Sequence, residues 1–315
     1  MESVYCPLCG ADDTRLMFKT EDYLYKTSEE KFRIVRCRRC RLVYVNPRPD
    51  ADEIHAYYPP DFYQTTITKE QLLKEKERQN LLKYKYVSDM LPGRMLDIGP
   101  SKGEFMYFMQ QEGWDVCGLE FSQKPPNVFD LNIYCGELSD ANYVPESFDL
   151  ITMWGVLEHV YDPLCMLRDA YRLLKCGGRF TALVTNFNSL PARLMRHDDV
   201  PRHTTLFTKR TMRSMLLKSG FEPERFYFNS ELFGGTHRGV FNYLVKLAMG
   251  EQIDNIVSQN RSTDRWYQFS SQIRGKQSNM MLKVDRFDIA VTPYLDRIMD
   301  WCRDGFIMIC QATKS

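Results

Sequence analysis

Residues 94–103 read RMLDIGPSKG, and this stretch decides the fold. Its first five residues have the composition of a short buried strand, and a turn containing Gly99 and Gly103 follows. The next residues, EFMYFM at 104–109, have the apolar spacing of a helix. A strand, a glycine-bearing turn and a helix in this order predict the first βα unit of an open sheet. Ligands of such sheets bind beyond the carboxyl ends of the strands.

The glycine spacing in this turn narrows the class of ligand. Gly99 and Gly103 have no Cβ, so the backbone at these positions can approach a ligand closely. They are spaced as Gly-x-x-x-Gly, which does not meet the dinucleotide pattern Gly-x-Gly-x-x-Gly. The spacing therefore counts against a nicotinamide dinucleotide.

Further strands and helices alternate after this unit. A strand at 115–120 ends in Glu120, 23 residues after Asp97, where a carboxylate can accept both ribose hydroxyls. A buried strand at 148–153 leads into a helix with inward leucines, and Gly177-Gly178 is predicted to end that helix before a strand at 179–184. This alternation predicts an α/β fold with a doubly wound, mostly parallel sheet.

The ten cysteines are unevenly distributed, because four of them form two Cys-x-x-Cys pairs near the N-terminus. Cys6 with Cys9 and Cys37 with Cys40 can present four thiolates to one ion, which completes a closed tetrahedral zinc shell. Strand-like residues at 32–35 and 42–45 flank the second pair. We predict a ribbon with structural zinc at residues 1–50; a redox dithiol is the alternative interpretation.

Basic residues concentrate around the second cysteine pair. They are Arg33, Arg36, Arg38, Arg39, Arg41 and Arg48. One interpretation is a solvated ribbon face, and the other is a contact with phosphate or nucleic acid. The second interpretation favours a phosphorylated small-molecule acceptor.

Overall composition argues against several classes of partner. The net charge of +1 and pI near 7.5 provide no global field that would attract nucleic acid or a membrane surface. The sequence has no apolar run of about 18 residues and no secretory signal at its start. We therefore expect a cytoplasmic protein without a membrane span, for which nucleic acid is not the favoured partner.

With these motifs together, the chain resembles the class I methyltransferases that use S-adenosylmethionine. The resemblance covers about residues 90–230. It rests on the segment 96–103, the acid Glu120, the stretch 136–149, and the segment Val156-Leu157-Glu158-His159-Val160 followed by Asp162-Pro163. It implies a seven-stranded Rossmann-like sheet with S-adenosylmethionine as the cofactor. The cysteine pairs ahead of this domain further resemble methyltransferases that act on sugars, often nucleotide-linked sugars.

The resemblance also implies roles for individual residues. The turn from Asp97 to Gly103 would hold the methionine part of the cofactor, Glu120 the ribose, and Asp140 with Ala141 the adenine edge. The full set of cofactor-binding candidates is Asp97, Ile98, Gly99, Pro100, Ser101, Gly103, Glu120, Phe121, Asp140, Ala141, Trp154 and Gly155. Ser101 stands where the family often has glycine. Trp154 is interpreted either as a stacking wall or as an ordinary packed aromatic residue.

Three residues are candidates for the chemistry, because methyl transfer needs alignment and often a base. Glu158 and His159 follow a strand end, and in the family this pair lines the cofactor pocket. His203 lies in a loop before a helix that Thr208 is predicted to cap. For both histidines a structural role is the alternative. His197 and His237 are weaker candidates, for which a surface position is favoured.

The region after residue 233 exceeds a simple loop. Helical stripes at 240–248 and 289–302 suit a core face or a homodimer contact, and we predict a helical C-terminal cap. Its polar middle, residues 259–276, includes three arginines. The predicted organisation is a zinc-binding ribbon at 1–50, linker and lid helices at 51–92, a methyltransferase core at 93–233, a helical cap at 234–304 and a final core strand at 305–315.

The leading hypothesis for function is methyl transfer from S-adenosylmethionine to a small-molecule acceptor, a sugar or a nucleotide-linked sugar, with a histidine base. A second hypothesis is an RNA methyltransferase whose zinc module grips the RNA backbone. The third is a regulatory protein that binds the cofactor without catalysis.

Overall fold

The secondary structure alternates between strands and helices over most of the chain. The computed structural model describes residues 1–59, 68–121, 127–195, 199–233, 240–250 and 279–315. Its strands are β1 (Thr14–Thr20), β2 (Phe32–Cys37), β3 (Val43–Val45), β4 (Arg94–Ile98), β5 (Asp115–Glu120), β6 (Ile133–Cys135), β7 (Phe148–Trp154), β8 (Leu174–Thr185), β9 (Thr205–Leu206), β10 (Glu222–Phe228) and β11 (Ile307–Thr313). Its α-helices are α1 (Lys69–Tyr84), α2 (Glu104–Gln111), α3 (Pro163–Leu173), α4 (Leu190–Met195), α5 (Lys209–Lys218), α6 (Val240–Ala248) and α7 (Asn279–Trp301).

The chain divides into two compact units. The first unit comprises residues 1–59, 185–208 and 228–307, and the second unit comprises residues 60–184, 209–227 and 308–315. Both units are therefore assembled from segments that are distant in the sequence.

The second unit is built on a seven-stranded sheet with the order β10-β11-β8-β7-β4-β5-β6. The pairs β4 with β5, β4 with β7, β5 with β6, and β7 with β8 are parallel. The strand order reverses at β4: the chain continues to β5 and β6 on one side of β4 and then to β7 and β8 on the other side. This confirms the predicted doubly wound, mostly parallel sheet and places the topological switch point at β4.

The helix α3 shows how local sequence sets an element beside this sheet. The carboxylate of Asp162 accepts a hydrogen bond from the Cys165 amide nitrogen at 2.9 Å, and Pro163 occupies the first turn. Its inward stripe of Leu164, Leu167, Ala170 and Leu173 is buried, as predicted.

The end of α3 differs from the sequence-based prediction. The helix ends at Leu173, and Leu174 already has extended backbone dihedral angles. Gly177 and Gly178 therefore lie inside β8, so the prediction that they end the helix was wrong. The pairing of β7 with β8 is irregular between Phe148 and Leu150, and such an irregularity accommodates glycine residues within a strand.

The first unit contains a four-stranded sheet with the order β1-β2-β3-β9, and all three of its pairings are antiparallel. Within this sheet, the side chains of Ile34 on β2 and of Val43 and Val45 on β3 are fully buried. The edge strand β9 comes from residues 205–206, about 160 residues after its neighbour β3. Its pairing gives the N-terminal ribbon a partner that local sequence did not predict.

The helix α7 is fixed in the first unit at its C-terminal end. Asp300 accepts two hydrogen bonds from Ser230, one from the amide nitrogen and one from Oγ, both at 2.8 Å. Among the helices in the described ranges, none has the length and apolar composition required to cross a membrane.

Candidate cofactor and metal sites

The turn after β4 brings backbone groups close to the ends of two neighbouring strands. Gly99 has a left-handed φ of +72°, and its amide nitrogen donates to the Leu119 carbonyl at 2.7 Å. A Cβ at Gly99 would lie 2.4 Å from Cγ2 of Val156. Glycine is therefore required here for two independent reasons, the backbone conformation and the contact with Val156.

Ser101 has a φ of +55° in the same turn, although it is not glycine. The left-handed conformation costs an L-residue about 1–2 kcal/mol. Its neighbours Ile98 and Pro100 are buried, whereas Ser101 itself is exposed. The departure from the family pattern therefore falls on a position whose backbone favours glycine and whose side chain has room.

The carboxylate that ends β5 is held by backbone donors. Glu120 is only 8% exposed, and its Oε2 accepts from the Ser101 amide nitrogen at 3.1 Å. Its Oε1 accepts from the Phe121 amide nitrogen at 2.9 Å, and Phe121 is half-buried. The acid is thus oriented at the edge of the glycine turn, where sequence reasoning placed the ribose contact.

Asp97 is a buried acid on the strand that precedes the turn. It is 1% exposed, and its Oδ1 accepts from Oγ1 of Thr152 at 2.6 Å. Burial raises the pKa of Asp97 to about 7, while the Thr152 hydrogen bond and the charge of Lys83 act in the opposite direction. A carboxyl group with this pKa changes charge near neutral pH and responds strongly to a cation placed beside it.

Lys83 is a further candidate site residue, which sequence reasoning missed. It lies on α1, which Asn80 joins to α2 through a hydrogen bond from its Nδ2 to the Glu104 carbonyl at 3.3 Å. Its Nζ lies 5.2 Å from the ring centroid of Phe105 and 5.5 Å from that of Trp154. Burial lowers the pKa of Lys83, and the carboxylates of Glu104 and Asp97 oppose this shift.

Trp154 ends β7 beside this lysine. Its ring meets Phe105 edge-on, with centroids 5.2 Å apart. Its Nε1 is buried and has no hydrogen-bond partner within the described part of the chain. A buried indole donor is normally paired, so this atom is suited to a ligand group.

The segment after Trp154 turns sharply. The Gly155 amide nitrogen donates to the Leu183 carbonyl at 3.0 Å, and Gly155 has a φ of +73°. Glu158 is buried, and His159 is half-buried with its amide nitrogen bonded to the Val156 carbonyl at 2.9 Å. The pair thus follows the carboxyl end of β7, next to the turn after β4.

Asp140 and Ala141 lie in a separate turn after β6. Asp140 is exposed, and its Oδ1 accepts from Oγ of Ser139 at 3.0 Å. Asn142 Nδ2 donates to the Asp140 carbonyl at 3.1 Å, which closes the turn. Asp140 is therefore presented to solvent, unlike Asp97 and Glu120, whereas Ala141 is half-buried.

The four predicted metal ligands converge in the first unit. The sulfur atoms of Cys6, Cys9, Cys37 and Cys40 all lie within 4.8 Å of one another. The Cys6–Cys40 and Cys9–Cys37 sulfur pairs are 3.4 and 3.6 Å apart. A zinc–sulfur length of about 2.3 Å in a tetrahedron requires sulfur atoms roughly 3.8 Å apart, so the cluster has nearly the size that zinc needs.

The two cysteine turns have the same backbone construction. In the first turn, the Gly10 amide nitrogen donates to the Cys6 carbonyl at 2.8 Å, and Cys6 donates to Ala11. In the second turn, Arg41 donates to the Cys37 carbonyl at 3.1 Å, and Cys37 donates to Leu42. Gly10 and Arg41 also share a left-handed φ, +73° and +68°. Each pair is therefore carried on an equivalent knuckle.

His203 lies in the first unit, where its loop is held by a buried ion pair. The His203 amide nitrogen donates to the Asp199 carbonyl at 2.6 Å, and the histidine is 7% exposed. The neighbouring Arg202 is fully buried and bonds Oδ1 of Asp22 through Nη2 at 2.7 Å. It also bonds the Asp199 carboxylate through Nε at 2.8 Å. Sequence reasoning missed Arg202, because nothing local distinguishes it from the other arginines.

The two weaker histidine candidates, His197 and His237, lie outside the described residues, as does the polar segment 259–276.

The structure has an open, doubly wound sheet with a glycine turn at its switch point and a carboxylate ending the next strand. Nucleoside-binding α/β proteins have this arrangement. Comparison with known proteins specifies this class further. The sequence model of a methyltransferase domain family matches residues 69–225.

Named relatives match a shorter part of the chain. The ubiquinone biosynthesis O-methyltransferase of Aliivibrio fischeri (strain MJ11) is 31% identical over 126 residues, which are 35% of this chain and 54% of the relative. The protein of the same name from Pseudomonas fluorescens (strain Pf0-1) is 30% identical over 105 residues, 30% of this chain and 45% of the relative. The chain therefore spans about half the length of the curated relatives it matches.

A solved structure, the SAM dependent methyltransferase from Archaeoglobus fulgidus, covers 78% of this chain and 100% of its own, with 15% identity and a TM-score of 0.46. The family match therefore identifies residues 69–225 of this chain as similar to a methyltransferase domain.

Proposed function

We propose that the chain transfers a methyl group from S-adenosylmethionine to a hydroxyl oxygen of a small-molecule acceptor, a sugar or nucleotide-linked sugar. The observation that carries the proposal is the buried Glu120 carboxylate fixed to the glycine turn by the Ser101 amide. The names of the curated relatives support an oxygen acceptor. The arginines of the second cysteine knuckle support an anionic group on the acceptor.

The residues around the turn fit the parts of this cofactor. Glu120 would accept the ribose hydroxyls, because an acid at this strand end is oriented for bidentate acceptance. Asp97 and Lys83 would face the methionine part, which carries an ammonium and a carboxylate. Phe121, Asp140 and Ala141 remain the candidates for the adenine. When bound, the cofactor supplies a methyl group activated by its sulfonium.

The chain's own residues would align the acceptor and remove its proton. The acceptor oxygen would take up the methyl group in exchange for the sulfonium sulfur, which would leave as a neutral thioether. The acceptor proton goes to a base. His203 and His159 are the proposed candidates for this base, because a histidine titrates near neutral pH. Arg202 would hold the His203 loop through Asp22 and Asp199.

The four cysteines would bind one structural zinc ion. Their sulfur atoms all lie within 4.8 Å of one another, and four protein ligands leave no open position for substrate. We therefore assign the metal to the stability of the first unit and derive no chemical step from it.

The function is tested with purified, zinc-loaded protein and cofactor labelled in the methyl group. The acceptors are nucleotide-linked sugars, free sugars, phenols and total RNA, each with and without nuclease treatment. The proposal expects label in a small hydroxylated product that nuclease does not affect. Label confined to a nuclease-sensitive polymer would refute the acceptor class, and failure to bind S-adenosylhomocysteine would refute the whole proposal.

The base is tested by separate His203→Asn and His159→Asn substitutions. A lost base lowers kcat by about 10²- to 10⁴-fold and removes the limb of the pH profile that reports its ionisation. A residue that shapes the cofactor site instead raises the KM for the cofactor. Unchanged turnover in both variants would reject the histidine assignment.

A further inference from the structure

The helix α7 has an unusual distribution of polar and apolar side chains. Three polar residues at four-residue intervals, Asp288, Thr292 and Asp296, are buried at 2%, 4% and 7% exposure. Five large apolar residues of the same helix are exposed instead: Phe287 at 53%, Ile289 at 55%, Tyr294 at 66%, Ile298 at 56% and Trp301 at 84%. A helix that packs only against its own chain has the reverse arrangement. The exposed face therefore has the character of a contact surface.

All of these exposed residues except Ile289 form one narrow stripe, and Ile289 lies on the opposite side of the helix. With half-buried Val291, the residues of the stripe are spaced by four, three, four and three residues: Phe287, Val291, Tyr294, Ile298 and Trp301. At 3.6 residues per turn these positions fall within an arc of about 80°. Alternating steps of three and four residues are the seam spacing of paired helices.

The order of side chains along this stripe is nearly symmetric about Tyr294. Aromatic Phe287 and Trp301 lie about 10 Å before and after it along the helix axis. Aliphatic Val291 lies about 4.5 Å before it and aliphatic Ile298 about 6 Å after it. A stripe with this symmetry is complementary to an antiparallel copy of itself. A two-fold interface requires such self-complementarity, because the same patch contributes both sides.

The apolar area is sufficient for the centre of such an interface. Aromatic side chains bury about 150–250 Å² each, so the exposed fractions of this stripe correspond to roughly 500 Å² per copy. A standard interface buries about 800 Å² per partner, of which the core is the apolar part. Phe287 is partly supported inside the chain, since its ring meets Phe241 with centroids 5.1 Å apart.

We propose that this stripe on α7 binds a second copy of the same chain, with the two α7 helices antiparallel and their two-fold axis at Tyr294. In this arrangement Phe287 packs against the partner's Trp301, and Val291 packs against the partner's Ile298. The pairing goes beyond the methyltransferase reaction and does not depend on it.

The arrangement is tested by introducing opposite charges at positions 291 and 298 of the zinc-loaded protein. Dimerisation is measured by sedimentation equilibrium. Val291→Glu and Ile298→Lys each place an unpaired charge in the seam and weaken the dimer at least about tenfold. The double variant carries both substitutions, so every Glu faces a Lys of the other copy, and dimerisation recovers. Parallel pairing would instead place like charges opposite each other, and the double variant would remain weak.

Controls separate this effect from loss of folding. Leu217→Lys on α5 replaces an apolar residue that is 50% exposed, similar to Ile298, and leaves the association unchanged. Trp301→Lys, at the most exposed position of the stripe, supplies a second weakening variant. Unfolding midpoints and zinc content must match the wild type. A wild-type protein that is monomeric at about 100 µM, or a double variant no tighter than the single variants, overturns the proposal.

Discussion

The Ser101 amide nitrogen donates a hydrogen bond to Oε2 of Glu120 at 3.1 Å, which joins the turn after β4 to the acid that ends β5. The two residues are 19 positions apart and meet because β4 and β5 are parallel neighbours. Parallel pairing aligns the carboxyl ends of both strands at one edge of the sheet, so a loop and a strand-end acid become parts of one site.

Replacing the acid tests this site directly. Glu120→Gln keeps the shape of the side chain but removes its charge, and charge-assisted hydrogen bonds contribute about 1.5–3 kcal/mol. We expect the affinity for S-adenosylhomocysteine, measured by calorimetry, to fall roughly 10- to 100-fold. The exposed Glu137→Gln serves as the control and leaves the affinity unchanged. Equal affinities in the two variants would contradict the ribose assignment.

Asp97 predicts a specific dependence of stability on pH. Burial raises its folded-state pKa from 3.8 to about 7, so the native state binds the proton more tightly than the unfolded state. The contribution of Asp97 to the free energy of unfolding is therefore most favourable below about pH 4. It falls by up to about 4 kcal/mol as the pH rises toward about 7. Asp97→Asn keeps an acceptor for Thr152 and removes this dependence.

The free energy of unfolding of the cofactor-free protein is measured by urea unfolding between pH 4 and 8, at intervals of about one pH unit. Subtracting the curve of Asp97→Asn isolates the contribution of this carboxyl group, and the exposed Asp140→Asn is the control. A difference between wild type and Asp97→Asn that stays constant across this range would show that Asp97 titrates alike in both states.

Backbone geometry predicts opposite tolerance for two substitutions in the glycine turn, Gly99→Ala and Ser101→Gly. Gly99→Ala places a Cβ 2.4 Å from Val156 Cγ2 at a φ of +72°, so we expect a loss of about 2–4 kcal/mol of stability and of cofactor binding. Ser101→Gly relieves a left-handed serine, partly offset by the added freedom of the unfolded chain. Its stability should change by less than about 1 kcal/mol, with binding retained. Thermal melts and calorimetry distinguish the two, and a tolerated Gly99→Ala would contradict the geometry.

The cysteine cluster predicts a zinc-dependent first unit. We expect about one zinc ion per chain by atomic spectroscopy, and a lowered unfolding midpoint after chelation, because metal affinity contributes to folding free energy. Cys40→Ser should lose the metal, whereas Cys176→Ser, at an exposed single cysteine, should retain it. Unchanged stability on chelation of a zinc-containing sample would refute a structural role.

The ion pair of Arg202 with Asp22 predicts a large stability effect, since both side chains are fully buried. Asp22→Asn leaves the guanidinium under-compensated, and we expect a loss of about 3–5 kcal/mol in denaturant unfolding. Asp13→Asn breaks the pair with Arg38, where both side chains are exposed, and should cost less than about 1 kcal/mol. Similar losses in the two variants would mean that burial does not govern the energetics of this pair.

Local sequence was sufficient to predict the strands, helices and metal ligands whose residues follow a short-range pattern. The strand ending at Glu120, the inward face of α3 and the convergence of four cysteines all follow from residue spacing within one element or one knuckle. Apolar periodicity and paired thiolates leave few alternatives at that range, and the alternation of strands with helices then indicates the parallel sheet.

Only the tertiary structure decided which distant residues meet. Lys83 beside Trp154, Thr152 bonded to Asp97, Arg202 bonded to Asp22 and β9 paired with β3 each join segments whose sequences show no sign of the partner. The apolar stripe of α7 is visible in the sequence, but its exposure is not, because spacing identifies a face without telling what packs against it. Burial and ion pairing between distant segments depend on how the whole chain packs, and no local pattern encodes that information.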